Sequence, residues 1–518
     1  MRKIVKVILL ICLLIGMGRL SAQNPNNALL YSHQAVLLGD QGSANDPVSI
    51  VMPGTAYASG LGSFLDNPAS LALQKKGFGE FGMSFRSVNE DATYLGQSRS
   101  VNTRSLDNSQ NNVSNLGFVY SFPTVQGSFV IGAGYTQHSI YNRSLRFRGR
   151  NEHSSITDQF KVDGSPFQEI AFNTFATDYG DEFEDWDESI FRVGFDRFGD
   201  FLGIHQQGDI VQKGYSGEYS LFFGTEIQRN LMFGASLGVL SGNFNYDRIF
   251  QENDDLYNYR AEFIDSNDDG IGDTDIDRIT LDDQLNSNFN GFKARVGLLY
   301  QFNVNVSAGV SYTFPTSLEV EEVFQAEIRT RFNNEVEFTD ETDSEFTYKI
   351  NYPSKVGLGL AFTYASGWDL SLAAEYTDYS ATAINFGESD LFDSELIEND
   401  FINDSYRSVW NFRLGTAYTL PNDITIRAGY SYLPSRFVNG DDNRNVYAAG
   451  AGFNLTEGIR FEVAGQLARW NEVSAVYDYG EYDYSLLPDS PPTVTFRSEE
   501  ADRSVERWNV LGTIRFRL

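Results

Sequence analysis

From residue 78 to the C-terminus the chain repeatedly alternates large apolar side chains with small or polar ones, in runs of about ten. Successive side chains on a strand point to opposite faces, so a period of two marks a sheet whose faces meet different solvents. The clearest run sets Phe292, Ala294, Val296, Leu298, Tyr300 and Phe302 against Lys293, Arg295, Gly297, Leu299 and Gln301. After Asn303 the pattern resumes, with Val304, Val306, Ala308, Val310, Tyr312 and Phe314 on one face. Asn305, Ser307, Gly309, Ser311 and Thr313 make the other. This hairpin has one greasy face with aromatic ends and one wet face.

Fourteen such runs are found, near 78–88, 115–122, 128–140, 218–228, 231–241, 291–302, 304–314, 348–364, 368–378, 407–420, 423–433, 444–455, 459–470 and 505–518. Six connections are short (123–127, 229–230, 303, 365–367, 421–422 and 456–458), and they alternate strictly with seven longer ones. The longest of these are predicted as loops over 141–217, 242–290, 315–347 and 471–504. An even strand number, with short turns at one end and long loops at the other, predicts an all-β, 14-stranded antiparallel transmembrane β-barrel over 78–518. Closure follows because lipid leaves an open sheet edge unsatisfied. Ten residues at ~3.3 Å each, tilted ~40°, cross about 25 Å, the height of the apolar band of such barrels. The last strand carries Trp508, Val510, Ile514, Phe516 and Leu518 on one face, which suits a strand read by barrel-assembly machinery. A soluble sandwich or propeller also alternates, but its turns need not sort by length, and no blade-length repeat is present.

Composition sharpens this picture. Residues 1–22 read as a secretory signal, with Arg2, Lys3 and Lys6 before an apolar core from Ile4 to Met17 and small residues ahead of Gln23. The apolar core is too short for a membrane span. Cys12, the only cysteine, lies inside the signal and lacks a lipoprotein context. The mature chain is therefore predicted to hold no disulfide, thiolate metal site or cysteine nucleophile. Removal of the four cations Arg2, Lys3, Lys6 and Arg19 takes the formal charge from −31 to −35, which makes nucleic acid a poor partner. Aromatics are abundant, with 41 Phe, 28 Tyr and 5 Trp, and no apolar stretch long enough for a helical span follows the signal.

Residues 23–77 do not alternate and are rich in Gly and Pro. A fourteen-stranded barrel has room for them in its lumen, so they are predicted to form a hatch. Three segments carry a resemblance: Asn27-Ala28-Leu29-Leu30-Tyr31-Ser32, then Gly54-Thr55-Ala56-Tyr57-Ala58-Ser59-Gly60-Leu61-Gly62, then Asp66-Asn67-Pro68-Ala69-Ser70-Leu71. They resemble the N-terminal hatch of the FadL/OmpP1/TodX family of outer-membrane transporters for long-chain fatty acids and aromatic hydrocarbons, most nearly its Bacteroidetes-type members. The resemblance implies passive uptake of hydrophobic molecules across a diderm outer membrane. Ligand binds greasy pockets, the hatch gates, and a kinked third strand lets ligand leave sideways. Asn67, Pro68 and Ala69 are the hatch and gating candidates. Asn before Pro starts a turn or helix, with the Asn side chain capping backbone amides. The matching third strand is 128–140, where Gly132 and Gly134 are the kink candidates.

Catalytic chemistry finds no foothold. The four histidines, His33, His138, His153 and His205, show no zinc-ligand spacing, and no nucleophile elbow or phosphate loop is present. His138 and Ser139 are adjacent on a strand and so face opposite sides. No cofactor is required, and no enzyme is predicted. One loop has a coordination pattern: Asp265, Asn267 and Asp269 before Gly270, with Asp273 and Asp275 following, resemble a calcium loop of the thrombospondin-repeat type. A structural Ca2+ in this outer loop is the expectation. The acidic runs 178–188 and 335–345 suit solvated outer loops beside lipopolysaccharide. Two rival functions remain: a general porin for polar solutes, with Arg413, Arg427, Arg460 and Glu462 facing inward, and a scaffold or shuttle in protein secretion. The expected partners are outer-membrane lipid, lipopolysaccharide, a hydrophobic small molecule and the assembly machinery, and the expected state is a monomer.

Overall fold

Each alternating run becomes one stave of a closed wall. The computed structural model describes residues 24–518 except 41–44, 59, 103–109, 162–164, 180–186, 193–200, 261, 263, 268, 365, 388–390 and 484–492. The predicted signal, Cys12, Ser59 and most of the acidic run 178–188 lie outside the described residues. The wall strands are β1 (Phe78–Tyr94), β2 (Gln110–Phe122), β3 (Phe129–Ile140), β4 (Ile204–Gln228), β5 (Leu231–Asn253), β6 (Ile276–Asn303) and β7 (Val306–Thr313). They continue as β8 (Lys355–Thr363), β9 (Trp368–Asp378), β10 (Ser408–Thr419), β11 (Thr425–Leu433), β12 (Arg444–Thr456), β13 (Ile459–Asp483) and β14 (Thr493–Arg517). Each pairs antiparallel with the next. β14 returns to β1 from Phe78↔Arg517 to Thr93↔Asp502, which closes the barrel and leaves no edge in lipid.

The predicted long loops are a correction. Much of 141–217, 242–290, 315–347 and 471–504 is strand: β4 has 25 residues, β5 has 23, β6 has 28, and β13 and β14 have 25 each. Twenty-eight residues at ~3.3 Å, tilted ~40°, rise about 70 Å, far beyond a ~25 Å apolar band. The reason is visible in β6. Over 292–302 its outward row is apolar and its inward row includes Lys293 and Arg295. Beyond Gly291 the outward row becomes Asn290, Asn288, Asn286, Gln284 and Asp282, while buried Phe289, Leu285, Leu281 and Ile279 face inward. β5 inverts in the same way, from exposed Leu237 and Val239 to inward Phe244, Tyr246 and Phe250. Lipid outside and a wet lumen below give way to water outside and an apolar core above.

That core fills an outer tower. A hairpin of Thr316–Phe332 and Glu337–Tyr352 extends the sheet beside the upper half of β6, offset from β7 and β8 by breaks at Phe314-Pro315 and Pro353-Ser354. Short helices Thr157–Phe160 and Gln168–Asn173 pack inside, with Phe160, Phe167 and Phe324 in one aromatic chain. The described residues of 24–77 run from this tower to the short-turn end. Asn27 Nδ2 donates to Asp478 (2.6 Å), helix Tyr31–Gly39 sits in the tower core, and the 3-10 helix Pro68–Leu73 lies against β4 to β6 near their turns.

Candidate functional site

Asn67 shapes the lower part of the hatch. Its Oδ1 accepts from Ala69 N (3.0 Å), which caps the 3-10 helix that Pro68 opens. Its Nδ2 donates to Thr55 O (2.7 Å) and to Leu298 O on β6 (3.1 Å). One fully buried side chain thus ties two hatch segments to the wall. The wall makes room with glycine: a Cβ at Gly297 would stand 1.8 Å from Asn67 Oδ1, and one at Gly309 would stand 2.0 Å from Thr55 O. Ala69 packs with Ala72, Met232 and Leu299. Asn67, Pro68 and Ala69 therefore form one structural unit that seats the hatch.

Above this seat lies a cavity of about 300 Å³ between hatch and wall. Its apolar lining includes Leu37, Ile50, Val88, Leu145 and Trp470. Ile140, Ile210, Leu433, Phe437 and Val446 add to it, and charged side chains are set among them. Arg413 pairs with hatch Asp66 (2.9 Å) and also donates to Ser49 O (2.6 Å). Lys355 pairs with hatch Asp40 (3.2 Å). Arg427 and Arg460 both meet Glu462 at 2.7 Å. The inward charges read from the sequence are thus matched locally rather than set against one another across an open passage.

The wall itself is interrupted beside the cavity. β2 and β3 pair from Phe122↔Phe129 up to Asn115↔Thr136 and then part. β2 continues along β1 to Gln110, with a register shift at Gly82/Met83, and β3 continues along β4 to Ile140, with a bulge between Gln137 and Ser139. Gly132 and Gly134, the sequence candidates for a kink, are laddered on both sides. The distortion lies further along, where His138, Ser139 and Ile140 also line the cavity. His138 Nε2 meets Glu218 (3.0 Å), and Arg295 grips that carboxylate with two bonds of 2.7 Å, which fastens the bulge to β4 and β6. Ser139 reaches Asp40 O instead and shares nothing with His138. A histidine next to a lumen-facing glutamate on the adjacent strand carries no sequence signal, because the spacing of 80 residues is set by the fold.

The calcium candidates do not converge. Asp265 accepts from the amides of Asn267, Asp269 and Gly270, and Asp273 accepts from Ser266. Asp275 is buried and accepts from Ile276 N. Among the described residues no three acidic or histidine side chains are placed to hold a metal ion. Asp265, Asn267, Asp269, Asp273 and Asp275 stiffen their loop with internal hydrogen bonds.

Comparison with known proteins agrees with the barrel. Residues 227–476 match the family model described as outer membrane protein transport protein (OMPP1/FadL/TodX). The fold is similar to the crystal structure of the Pseudomonas putida toluene transporter TodX, with a TM-score of 0.52 at 15% identity, over 92% of this chain and 99% of that one. It is similar also to a Pseudomonas aeruginosa FadL homologue, with a TM-score of 0.50 at 9% identity, over 92% and 98%. No curated protein matches the chain by sequence. The family resemblance first read from the hatch is thus carried independently by the barrel.

Proposed function

Starting from a barrel of the OMPP1/FadL/TodX type in a Gram-negative outer membrane, we propose that this protein is a passive channel for hydrophobic small molecules, of the class of long-chain fatty acids or aromatic hydrocarbons. Ligand collects in the cavity above the hatch and leaves sideways into the bilayer between β2 and β3. The observation that carries this reading is the parting of those strands above Asn115↔Thr136, where the cavity lining itself reaches the wall at His138 to Ile140. Asn67, Pro68 and Ala69 hold the hatch that keeps the lower end shut. The protein acts as a monomer, without cofactor or catalysis, in a shell of lipid and lipopolysaccharide, after insertion by the barrel-assembly machinery. Local pairing of Arg413, Arg427 and Arg460 with carboxylates favours this reading over a general porin. The apolar filling of the tower by the described residues counts against passage of a secreted chain.

Deleting His138 removes the extra residue of the bulge, puts the end of β3 in register with β4 and should keep it from turning away from β2. Uptake of a radiolabelled fatty acid and of toluene by cells carrying this variant should fall at least tenfold, with the folded barrel still migrating faster than the boiled one on a gel. Unchanged uptake of both compounds through a folded variant would defeat the sideways exit.

A further inference from the structure

The described cavity lining holds eight Arg and Lys side chains against five Asp and Glu. Most of these are matched. Arg143 binds Glu90 (3.0 Å) and Glu472 (2.6 Å), and Arg503 bridges the same two carboxylates. Arg436 has only Asp40, at 3.9 Å, and three further arginines are left over around β1, β12 and β14. Arg86 on β1 is nine-tenths buried; one of its Nη groups donates to Ile140 O (2.8 Å), and its Nε finds no acceptor. The side chain of Arg507 on β14 makes no ion pair or hydrogen bond among the described residues, and its charged neighbours are Arg86, Arg444 and Arg143, all of like sign. Arg444 at the start of β12 has only Asp442, at 3.8 Å, outside hydrogen-bond range.

Register brings these residues together. Val88 faces Arg507 across β1 and β14 while Arg86 faces Asn509, so the two arginines are diagonal neighbours on the inward face. Trp470 stands opposite Val505, one diagonal from Arg507, and Arg444 adjoins it through the pair Asn445↔Arg469. The indole is fixed by its Nε1–H donating to Glu472 (2.7 Å). Around its ring lie the guanidinium carbons of Arg444 at 4.8 Å, Arg507 at 5.5 Å and Arg143 at 5.7 Å. An aromatic face offsets part of the cost of holding cations together. It gives their N–H edges no acceptor.

We propose that Arg86, Arg444 and Arg507, grouped about Trp470, bind a doubly charged oxyanion of the phosphate or sulfate type, free or as the head of an amphiphile. A single carboxylate would neutralise one of three guanidinium groups. A tetrahedral dianion offers acceptors in several directions, which suits planar N–H forks approaching from three strands. The local surplus runs against a chain of net charge −31, so it is not a by-product of a basic composition. The site stands on these side chains alone and does not depend on what the channel passes.

The test is calorimetric titration of the full mature chain, in a nonionic detergent and a chloride buffer, with inorganic phosphate, dodecyl phosphate, dodecanoate and dodecanol. Saturable binding of inorganic phosphate would identify a free-anion site. Binding of dodecyl phosphate alone, at least tenfold tighter than dodecanoate, would identify a head-group site. In either case Arg507→Gln combined with Arg86→Gln should weaken binding at least tenfold, and Arg507→Lys should restore part of it. Arg444→Gln, at a strand end, serves as the independent variant should the double variant fail to fold. Dodecanoate binding as tightly as dodecyl phosphate, or affinity unchanged in a folded variant, would overturn the proposal, as would silence from every phosphate probe. Absence of hydrocarbon uptake by the unaltered protein, with phosphate binding intact, would fault the channel reading and leave this site standing.

Discussion

The two ends of strand β6 have the same backbone and opposite chemistry. Below Gly291 the barrel turns Phe292, Leu298 and Tyr300 outward; above it, Asn290, Asn288 and Asn286 are outward and Phe289 and Leu285 inward. A β-ladder does not register which solvent lies on which side, since its hydrogen bonds run in the plane of the sheet. Side chains alone mark the level where lipid ends. The lower half is an inside-out protein with a wet centre, and the upper half is an ordinary soluble sandwich of sheet around an apolar core.

The sharpest way to break this comparison is to cut equivalent side chains on the two levels. Phe244→Ala removes a ring buried in the tower core and should cost about 3–5 kcal/mol in urea unfolding followed by tryptophan fluorescence. Leu237→Ala, on the lipid side of the same strand, should cost a fraction of that, because acyl chains close over the loss. A charge reverses the ranking. Leu298→Arg puts a cation in the apolar band and should cost about 2–4 kcal/mol, whereas Asn286→Arg, twelve residues up the same face, should stay within about 0.5 kcal/mol. Equal costs for the two arginines would show that the upper segment also lies in lipid.

Acid should separate the halves further. Burial pushes Glu322 up to about 7, against hydrogen bonds from Tyr31, Ser287 and Tyr348. It pushes Glu252 up to about 7 and Asp478 up to about 6, both in the tower. A carboxyl whose folded value lies above its unfolded one binds its proton more tightly in the fold. Its stabilising contribution is complete below the unfolded value and is lost as pH rises through the folded one. Tower stability should therefore decline between about pH 4.5 and 7, by up to about 3 kcal/mol per group. Glu322→Gln should flatten that slope. Because Tyr31 and Asn27 belong to the hatch, hydrogen exchange over 24–39 should report the same loosening. A smaller effect is expected lower down, where Asn67→Ala removes a cap and two further bonds worth about 1–2 kcal/mol together. Deleting 24–60 altogether should raise conductance in planar bilayers, and an unchanged trace would show that the hatch does not close the lumen.

How legible all this was in the sequence follows the same divide. Strands with one phase throughout, such as β9, were readable to the residue, because lipid and lumen impose a single alternation from end to end. Strands that leave the membrane were read as ending near residues 218, 241 and 291, since an inverted phase looks like a broken pattern to a template that expects greasy positions to stay on one face. Asn67 was visible as a cap before proline. Its bond to Leu298 was not, and Gly297 looked like an ordinary small lumen residue rather than clearance for that side chain. The arginine group was the least visible. Alternation can turn Arg86 and Arg507 inward, but only the β1–β14 register, which joins the two ends of the chain, makes them neighbours.

The smallest expected effect concerns the loop that crowns β5 and β6. Its aspartates have the spacing of a calcium loop, yet Asp265 and Asp273 already accept from amides of their own turn, and the bridge Ile264↔Thr274 closes its base. The turn is thus already held by its own amides, so an ion would add little to its order. Calcium titrated into the purified protein should accordingly give no heat that the variant Asp265→Ala with Asp269→Ala loses, and tower unfolding should be the same with calcium or chelator. Heat that disappears in the variant would mean that the loop rearranges around the ion, and that its hydrogen bonds are the weaker of two ways to hold the same turn.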